Sequence, residues 1–574
     1  MAYNPRRYRA PETIRLSDRT WPERTLERAP TWCSVDLRDG NQALAEPMGM
    51  ERKQRMLAAL LEVGFREIEL GFPSASQTDF DFIRWVIEEN VLPEGVTPQV
   101  ITQARPALIE RTFESIRGAK RAIFHLYNST SEVQRRVVFG LSEAEVIALA
   151  VRATEQIRAL AAQMPETEII FQYSPESFTG TELAFAKAIC DAVAEAWGAT
   201  PERKMIVNLP STVENTTPNV FADRIEWMSR NLARRDSIIL SVHTHNDRGS
   251  GVASAELAQL AGAERVEGTV FGNGERSGNV DIVTLALNLY SHGIEPQLRF
   301  DDLPALVKVI EYCTRLPVHP RHPYAGELVF TAFSGSHQDA IHKGMKRVGE
   351  GPDDIWEVPY LPIDPMDVGR RYESVIRINS QSGKSGLAHV LERDAGYRVP
   401  RPVAIEFGRV AQAVTDGRGE ELSSEGVVAL FERTYLSVSG PFELRTVAVE
   451  RRSAGRDCAV TAELRIDGVS RTVTGIGSGP IEAFVSALST CVGQTLEVAD
   501  YVEHARGRGA DAEAVAFASV RGAADAGEPL YGVGRHKDVV LASLHAIIAA
   551  CNRLHAASRF AQRGPTVVAV DIAP

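Results

Sequence analysis

The 574-residue sequence has no apolar run near the ~20 residues that a membrane-spanning helix needs, so no membrane partner is expected. Cysteine is scarce. Cys33, Cys190, Cys313, Cys458, Cys491 and Cys551 are scattered and form no C-x-x-C pair. That argues against a disulfide frame and a structural zinc site, and fits a reducing cytoplasm. Basic charge is also in deficit. There are 63 Lys and Arg against 75 Asp and Glu, a net charge of −12, so the many phosphate contacts of nucleic-acid binding are not expected. Residues 1–30 are rich in Arg and Pro and lack the apolar core of a secretory signal, which predicts a surface arm. No G-x-S-x-G elbow occurs, and the glycine-rich stretch 272–278 lacks both G-K-[ST] and G-x-G-x-x-G. Covalent serine chemistry and nucleotide binding of the P-loop or Rossmann kind are therefore unsupported.

The length allows two to four domains. Between residues 31 and 293, eight short apolar runs alternate with segments of helical period such as 52–63 and 143–162. The runs are 32–37, 67–72, 97–101, 122–127, 168–173, 204–209, 238–243 and 265–271. A count of eight predicts a TIM (β/α)8 barrel, an α/β architecture, rather than an open doubly wound sheet. The expected organisation is an arm (1–30), a barrel (31–326), loop-rich linker subdomains (327–426) and a C-terminal domain (427–574). In the last, strand-like segments 444–451, 459–466 and 471–474 lead into Gly475-Ile-Gly-Ser-Gly479 and a helix at 481–489. A second copy follows: 517–521, Tyr531, Gly532-Val-Gly534 and a helix at 539–550. This predicts a duplicated α+β domain whose glycines form turns before helices.

Barrel enzymes carry their reacting groups at the C-terminal ends of the strands. Those ends here hold Asp36-Leu-Arg38-Asp39-Gly40-Asn41-Gln42, His125, Glu176, Thr212, His243-Thr-His245-Asn-Asp247 and Gly272-Asn-Gly-Glu275-Arg-Ser-Gly-Asn279. His243 and His245 sit at i and i+2, so on an extended strand both imidazoles face the barrel mouth. With Asp39 and Asn279 from neighbouring strand ends they make a mixed N/O site for a divalent ion, with positions left for substrate. Arg38, beside Asp39, is a fixed cation suited to a developing enolate oxygen. Metal polarisation with acid/base chemistry is the expected reaction type.

These three motifs, in this order, resemble the signatures of the 2-isopropylmalate synthase family, long form, within the HMG-CoA-lyase-like and pyruvate-carboxylase-like barrels. The resemblance implies a Claisen condensation of acetyl-CoA with 2-oxoisovalerate, then thioester hydrolysis, as the first step of leucine synthesis. It implies that Asp39, His243, His245 and Asn279 hold a divalent metal (Mg2+, Mn2+ or Zn2+) and leaves room for a monovalent cation such as K+. Arg38 matches the family's catalytic arginine. Glu176, Thr212 and His125 match its substrate pocket, and His337 and Tyr372 match linker residues that a neighbouring subunit brings over the barrel, so a homodimer is implied. The C-terminal domain resembles the family's leucine-binding module. Turns at Gly475, Gly477, Gly532 and Gly534 would offer backbone N–H groups to the effector carboxylate. Homocitrate- or citramalate-type synthesis on the same barrel and a non-catalytic leucine sensor are the competing readings. A lyase of the HMG-CoA type is disfavoured because its glycine loop carries a Cys, which 272–279 lacks.

Overall fold

The computed structural model describes residues 4–8, 14–332, 334–349, 355–372, 384–418, 422–451, 457–507, 509, 511–522 and 528–563. The chain divides into two compact units, residues 1–330 with 362–372, and residues 331–361 with 373–574.

The first unit is a closed barrel of eight parallel strands in sequence order. The strands are β1 (Thr31–Ser34), β2 (Glu67–Gly71), β3 (Thr97–Gln103), β4 (Arg121–Ser129), β5 (Glu168–Glu176), β6 (Met205–Ser211), β7 (Ile238–Thr244) and β8 (Arg265–Gly268). All eight expected runs are strands. Two end early: β1 gives way at Val35 to a π-helical turn, Asp36–Gly40, and β8 to a 3-10 turn, Val270–Gly272. The barrel closes through β1 and β8, with Thr31 opposite Arg265 and Ser34 opposite Gly268. Helices α1 (Met50–Val63), α2 (Gln77–Glu88), α3 (Pro106–Ser115), α4 (Glu143–Ala161), α5 (Leu183–Trp197), α6 (Pro218–Asn231), α7 (Gly251–Leu260) and α8 (Ile282–Ser291) alternate with the strands. Strands buried on both faces read as near-continuous apolar runs, and β6 is buried at every position. Helix α4 starts on a capping box, Ser142 with Glu145, which satisfies free N–H groups of its first turn. Residues 20 and 21 of the arm are docked: Trp21 Nε1 donates to Asp223 at 2.8 Å and the Thr20 N–H to Glu226 at 2.9 Å, both on α6. Helix α9 (Leu303–Thr314) packs beside α1.

The second unit begins with α10 (Gly335–Met345). Helices α11 (Lys384–Ala395), α12 (Arg401–Arg418) and α13 (Ser424–Tyr435) follow. Then come strands β9 (Phe442–Arg451), β10 (Cys458–Ile466) and β11 (Val469–Gly477), helix α14 (Pro480–Val492), strands β12 (Leu496–Arg506), β13 (Glu513–Gly522) and β14 (Leu530–His536), and helix α15 (Val539–Arg563). The duplication is real: two antiparallel three-stranded sheets, β11-β10-β9 and β12-β13-β14, each followed by a helix. Strand β12 completes the second copy and was not anticipated. Alternation along β13 divides two cores. Val515 and Phe517 pack with Leu391, Phe407 and Phe431 of α11–α13, while Ala516, Ala518 and Val520 pack with Phe484 and Ile547 of α14 and α15. The stretch expected to be linker subdomains thus shares a core with the C-terminal sheet.

The glycines correct the sequence reading. Gly475 and Gly477 lie inside β11, and Gly532 and Gly534 inside β14, not in turns. A Cβ on Gly477 would stand 2.5 Å from the Ala483 nitrogen of α14, and one on Gly532 would overlap the Ala546 oxygen and Ala550 nitrogen of α15. These residues let helix backbone lie directly on strand backbone. Among the described residues, one helix segment, Val539–Ala557, is long and apolar enough to cross a membrane, and its buried face packs against β13 and β14.

Candidate metal centre and active site

The π-helical turn after β1 brings Arg38 and Asp39 together at the mouth, although neighbouring residues of a strand face opposite ways. Arg38 Nη1 donates to Asp39 Oδ1 at 2.7 Å and Arg38 Nε donates to Glu69 of β2. The other aspartate oxygen, Oδ2, is 3.1 Å from His243 Nε2 and 3.4 Å from His245 Nε2. His243 Nε2 lies 2.9 Å from Asn279 Oδ1 and 3.3 Å from His245 Nε2. All four residues are buried. Donors that share one ion at about 2.0–2.2 Å stand about 3.0–3.5 Å apart, which is the spacing found. Among the described residues, Asp39, His243 and His245 are the one group of His, Cys, Asp or Glu that converges in this way. The residues fit a divalent cation.

The loop 272–279 explains how an amide joins the set. Gly272 and Gly278 have φ of +74° and +102°, a region that favours glycine, and a Cβ on Gly278 would overlap the Gly272 carbonyl. The loop therefore folds tightly on itself. Asn279 Nδ2 donates to the Asn273 carbonyl at 3.2 Å, which turns Oδ1 toward the histidines.

Below the rim lies a buried polar network that the sequence reading did not find. His243 and Glu267 are register partners on β7 and β8, and His243 Nδ1 is 2.9 Å from Glu267 Oε2. Arg265 donates to Glu267 at 2.7 Å, Gln99 at 2.8 Å and Glu67 at 2.5 Å. Gln172 and Asn208 also donate to Glu267, at 2.7 and 3.2 Å. A carboxylate partner fixes the tautomer and orientation of a ligating histidine. A Glu and an Arg two residues apart on the short strand Arg265–Gly268, where apolar side chains are usual, were the signal available.

The charges follow from these contacts. Burial works against ionisation of Asp39, but the Arg38 guanidinium, with hydrogen bonds from both histidines, holds the carboxyl well below the usual range. Burial also opposes a charged His243. Hydrogen bonds to Asp39 and Glu267 outweigh it and lift the imidazole to about 9. Burial, helped by the neighbouring His243, pushes His245 down. Burial would raise Glu267, yet Arg265 and then His243 hold it well below the ordinary value.

A cavity of about 230 Å3 opens above the centre. Its walls include Arg38, Asp39, His243 and His245, together with His125, Glu176 and Thr212. His125 is braced by Glu69 (2.8 Å to Nδ1) and Ser174 (2.7 Å to Nε2). Glu176 accepts from the Ser129 hydroxyl, and Thr212 Oγ1 accepts from the Ser177 N–H at 2.8 Å. Tyr372, in the barrel unit, does not line this cavity. His337, on α10 of the second unit, stacks on Tyr360 at 4.0 Å. Tyr372 ends the barrel unit's segment, and its buried hydroxyl has no hydrogen-bond partner among the described residues.

Comparison with known proteins gives the family. An HMGL-like model matches residues 29–310. The alpha-isopropylmalate synthase post-catalytic domain-like model matches residues 327–392, and the LeuA allosteric (dimerisation) domain model residues 421–555. The 2-isopropylmalate synthase of Rhodospirillum rubrum is 54% identical over 551 residues, 96% of this chain and 98% of that protein. The chain belongs to the 2-isopropylmalate synthase family. A second family member, from Ralstonia nicotianae, is 53% identical over 571 residues, 99% of this chain and 98% of its own. Among solved structures, an HMG-CoA lyase from Acinetobacter baumannii aligns over 52% of this chain and 94% of its own at 17% identity, with a TM-score of 0.41. The family's barrel matches the segment that carries every proposed metal ligand.

Proposed function

We propose that this chain condenses the acetyl group of acetyl-CoA with 2-oxoisovalerate and hydrolyses the thioester to give 2-isopropylmalate and CoA, under feedback by leucine. The observation that carries the chemistry is the convergence of Asp39, His243, His245 and Asn279 beside Arg38 at one open cavity. A divalent ion bound there supplies Lewis-acid polarisation of the 2-oxo acid's carbonyl. The remaining chemistry falls to side chains. Arg38, clamped by Asp39 and Glu69, is a preorganised cation for the oxygen of the acetyl enolate. It needs no reorganisation as charge develops. His125, Glu176 and Thr212, on the same walls, orient the oxo acid. Glu69 and Ser174 hold the His125 ring, so its position is set before substrate arrives. His337 and Tyr372 are assigned to proton transfer or hydrolysis once a second subunit completes the site, a role supported by their match to the family and by the free Tyr372 hydroxyl.

The match of 421–555 to an allosteric (dimerisation) domain supports leucine as effector and a homodimer as the working form. Gly475, Gly477, Gly532 and Gly534 enter that proposal as helix-packing positions near the effector site, not as carboxylate-binding turns. Deleting 427–574 is a poor test, because β13 and β14 cover the buried Leu391 and Phe407 of α11 and α12. The test is thiol release by the intact chain with acetyl-CoA and a panel of 2-oxo acids, with chelator and with leucine. The reading requires 2-oxoisovalerate to be the preferred acceptor, chelator to stop the reaction, and leucine to inhibit it. Preference for 2-oxoglutarate or pyruvate transfers the chain to the homocitrate- or citramalate-type reaction.

A further inference from the structure

Lys53, on α1, is fully buried, and the reaction proposed above gives it no part. Its surroundings show where it acts. Nζ donates to the Leu37 carbonyl at 3.1 Å and to Asp79 Oδ1 of α2 at 2.9 Å, with the centre of the Phe82 ring 5.2 Å away. The Leu37 carbonyl belongs to the peptide that joins Leu37 to Arg38, inside the π-helical turn Asp36–Gly40. The other end of the pair also reaches the mouth. Asp79 Oδ2 accepts the Phe72 N–H at 2.9 Å, and Phe72 lines the cavity and meets Tyr127 edge-on at 6.2 Å. A Cβ on Gly71 would stand 2.7 Å from Asp79 Oδ2, so the glycine before Phe72 admits the carboxylate. One buried ion pair in the helical shell therefore grips two rim segments, after β1 and after β2, by their backbones.

Stability does not explain a charged pair here. Burial takes both ions out of water, which offsets much of their attraction, and apolar side chains of like volume would join α1 to α2 about as well. Apolar side chains have no donor for a backbone carbonyl, and the turn lacks strong bonds of its own. The N–H groups of Arg38, Asp39 and Gly40 converge on one acceptor, the Val35 carbonyl, at 3.2, 2.9 and 3.1 Å. Three donors share an oxygen with two lone pairs. A tether from outside fixes what that shared contact leaves loose.

We propose that Lys53 is a positioning residue: its bond to the Leu37 carbonyl fixes where the turn stands, and so presents Arg38 to the enolate and Asp39 to the ion. This inference rests on the metal centre and reaction proposed above. A shift of about 1 Å in a group aimed at the reacting atoms costs up to about 100-fold in rate. Loss of the support behind a ligand costs about 10- to 100-fold in metal affinity.

The experiment compares the full-length wild type with two neutral pairs. Lys53→Met with Asp79→Asn keeps the volume, removes both charges and deletes the donor, while the new amide oxygen still accepts the Phe72 N–H. Lys53→Gln with Asp79→Asn returns a neutral donor. The readouts are the urea midpoint, Co2+ titration of the metal-free chain, and kcat and KM for 2-oxoisovalerate at saturating metal. The Met pair is expected to lose about tenfold or more in kcat and about tenfold in Co2+ affinity. KM for the oxo acid should stay within about threefold, because Phe72 keeps its tether. The Gln pair should regain about fivefold in kcat, the worth of one neutral hydrogen bond. A Met pair that folds yet keeps wild-type kcat or Co2+ affinity overturns the proposal, whatever its urea midpoint, since the ion pair then only joins two helices. A loss that appears in KM alone, or that the Gln pair does not reverse, overturns it too. If the Met pair does not fold, wild type carrying nitrogen-labelled lysine and carbonyl-labelled leucine decides. Coupling between Lys53 Nζ and the Leu37 carbonyl supports the tether, and its absence overturns it. A wild type that binds no Co2+ and releases no thiol overturns the metal centre and the reaction themselves, a distinct outcome.

Discussion

Glycine is concentrated in two places, the loop 272–278 of the barrel and the strands β11 and β14 of the C-terminal domain, for different physical reasons. In the loop, Gly272 and Gly278 adopt left-handed backbone so that the chain can close on itself and present Asn279. In the strands none of Gly475, Gly477, Gly532 and Gly534 has a positive φ. There the missing Cβ lets a helix lie on a sheet. The difference teaches that a glycine-rich segment before a helix states only that something approaches the backbone closely. Whether that is the chain itself, a helix or a ligand is decided by conformation. Function in the barrel therefore resides in the polar side chains that the loop presents, and those side chains offer the sharpest ways to test the contrast.

The largest effect is expected from His243→Ala. The ring touches Asp39, Asn279, His245 and Glu267, and its loss removes one proposed ligand and the centre of the cluster. Turnover in steady-state thiol release should fall by at least about 100-fold through lost carbonyl polarisation. Wild-type turnover would remove the basis for a Lewis acid here. Glu267→Gln comes next. The isosteric amide keeps the volume of the buried side chain but weakens the hold on His243 and leaves Arg265 short of a charge partner. Metal affinity, measured by chelator competition, should drop by about 10- to 100-fold.

Gly532→Ala tests the other side of the comparison. The added methyl meets the Ala546 oxygen and Ala550 nitrogen of α15. The C-terminal domain should lose about 1–3 kcal/mol of stability, read from its urea midpoint. Metal affinity at the barrel should not change. If both stability and leucine response survive the substitution, the close strand-to-helix approach is not what these glycines serve.

Much of this was legible in the sequence, and the misses share a cause. The eight runs mark eight strands because parallel strands buried on both faces leave a continuous apolar record. The convergence of Asp39, His243, His245 and Asn279 was legible because all four lie at the C-terminal ends of barrel strands, which meet at one rim. Glu267, Glu69, Gln99 and Arg265 were not, because a side chain inside a barrel is recognised by register, and register is a property of pairs of strands. Strand β12 (Leu496–Arg506) escaped because it alternates between exposed and half-buried positions and has no fully buried one. That α11 and α12, within the stretch expected to hold linker subdomains, share a core with the C-terminal sheet was not legible, because what buries Leu391 and Phe407 lies more than 100 residues further on, at Val515 and Phe517.

Per unit of pH the expected effect is the smallest, about tenfold, and it separates the buried barrel site from any surface one. In the metal-free protein His243 has a pKa of about 9, because Asp39 and Glu267 outweigh its burial. The unfolded value is about 6.5. The charged ring therefore stabilises the fold fully below about pH 6.5, and that contribution is lost as pH rises through 9. A dication binding at Nε2 must displace the same proton. His245, pushed down by burial, has no proton to lose in this range. Apparent metal affinity should rise about tenfold per unit from roughly pH 7 to 9 and then level off, the signature of one proton released per ion bound. A flat profile over that range would mean that Asp39 and Glu267 do not hold the ring charged, and that the network beneath the rim orients His243 without setting its protonation.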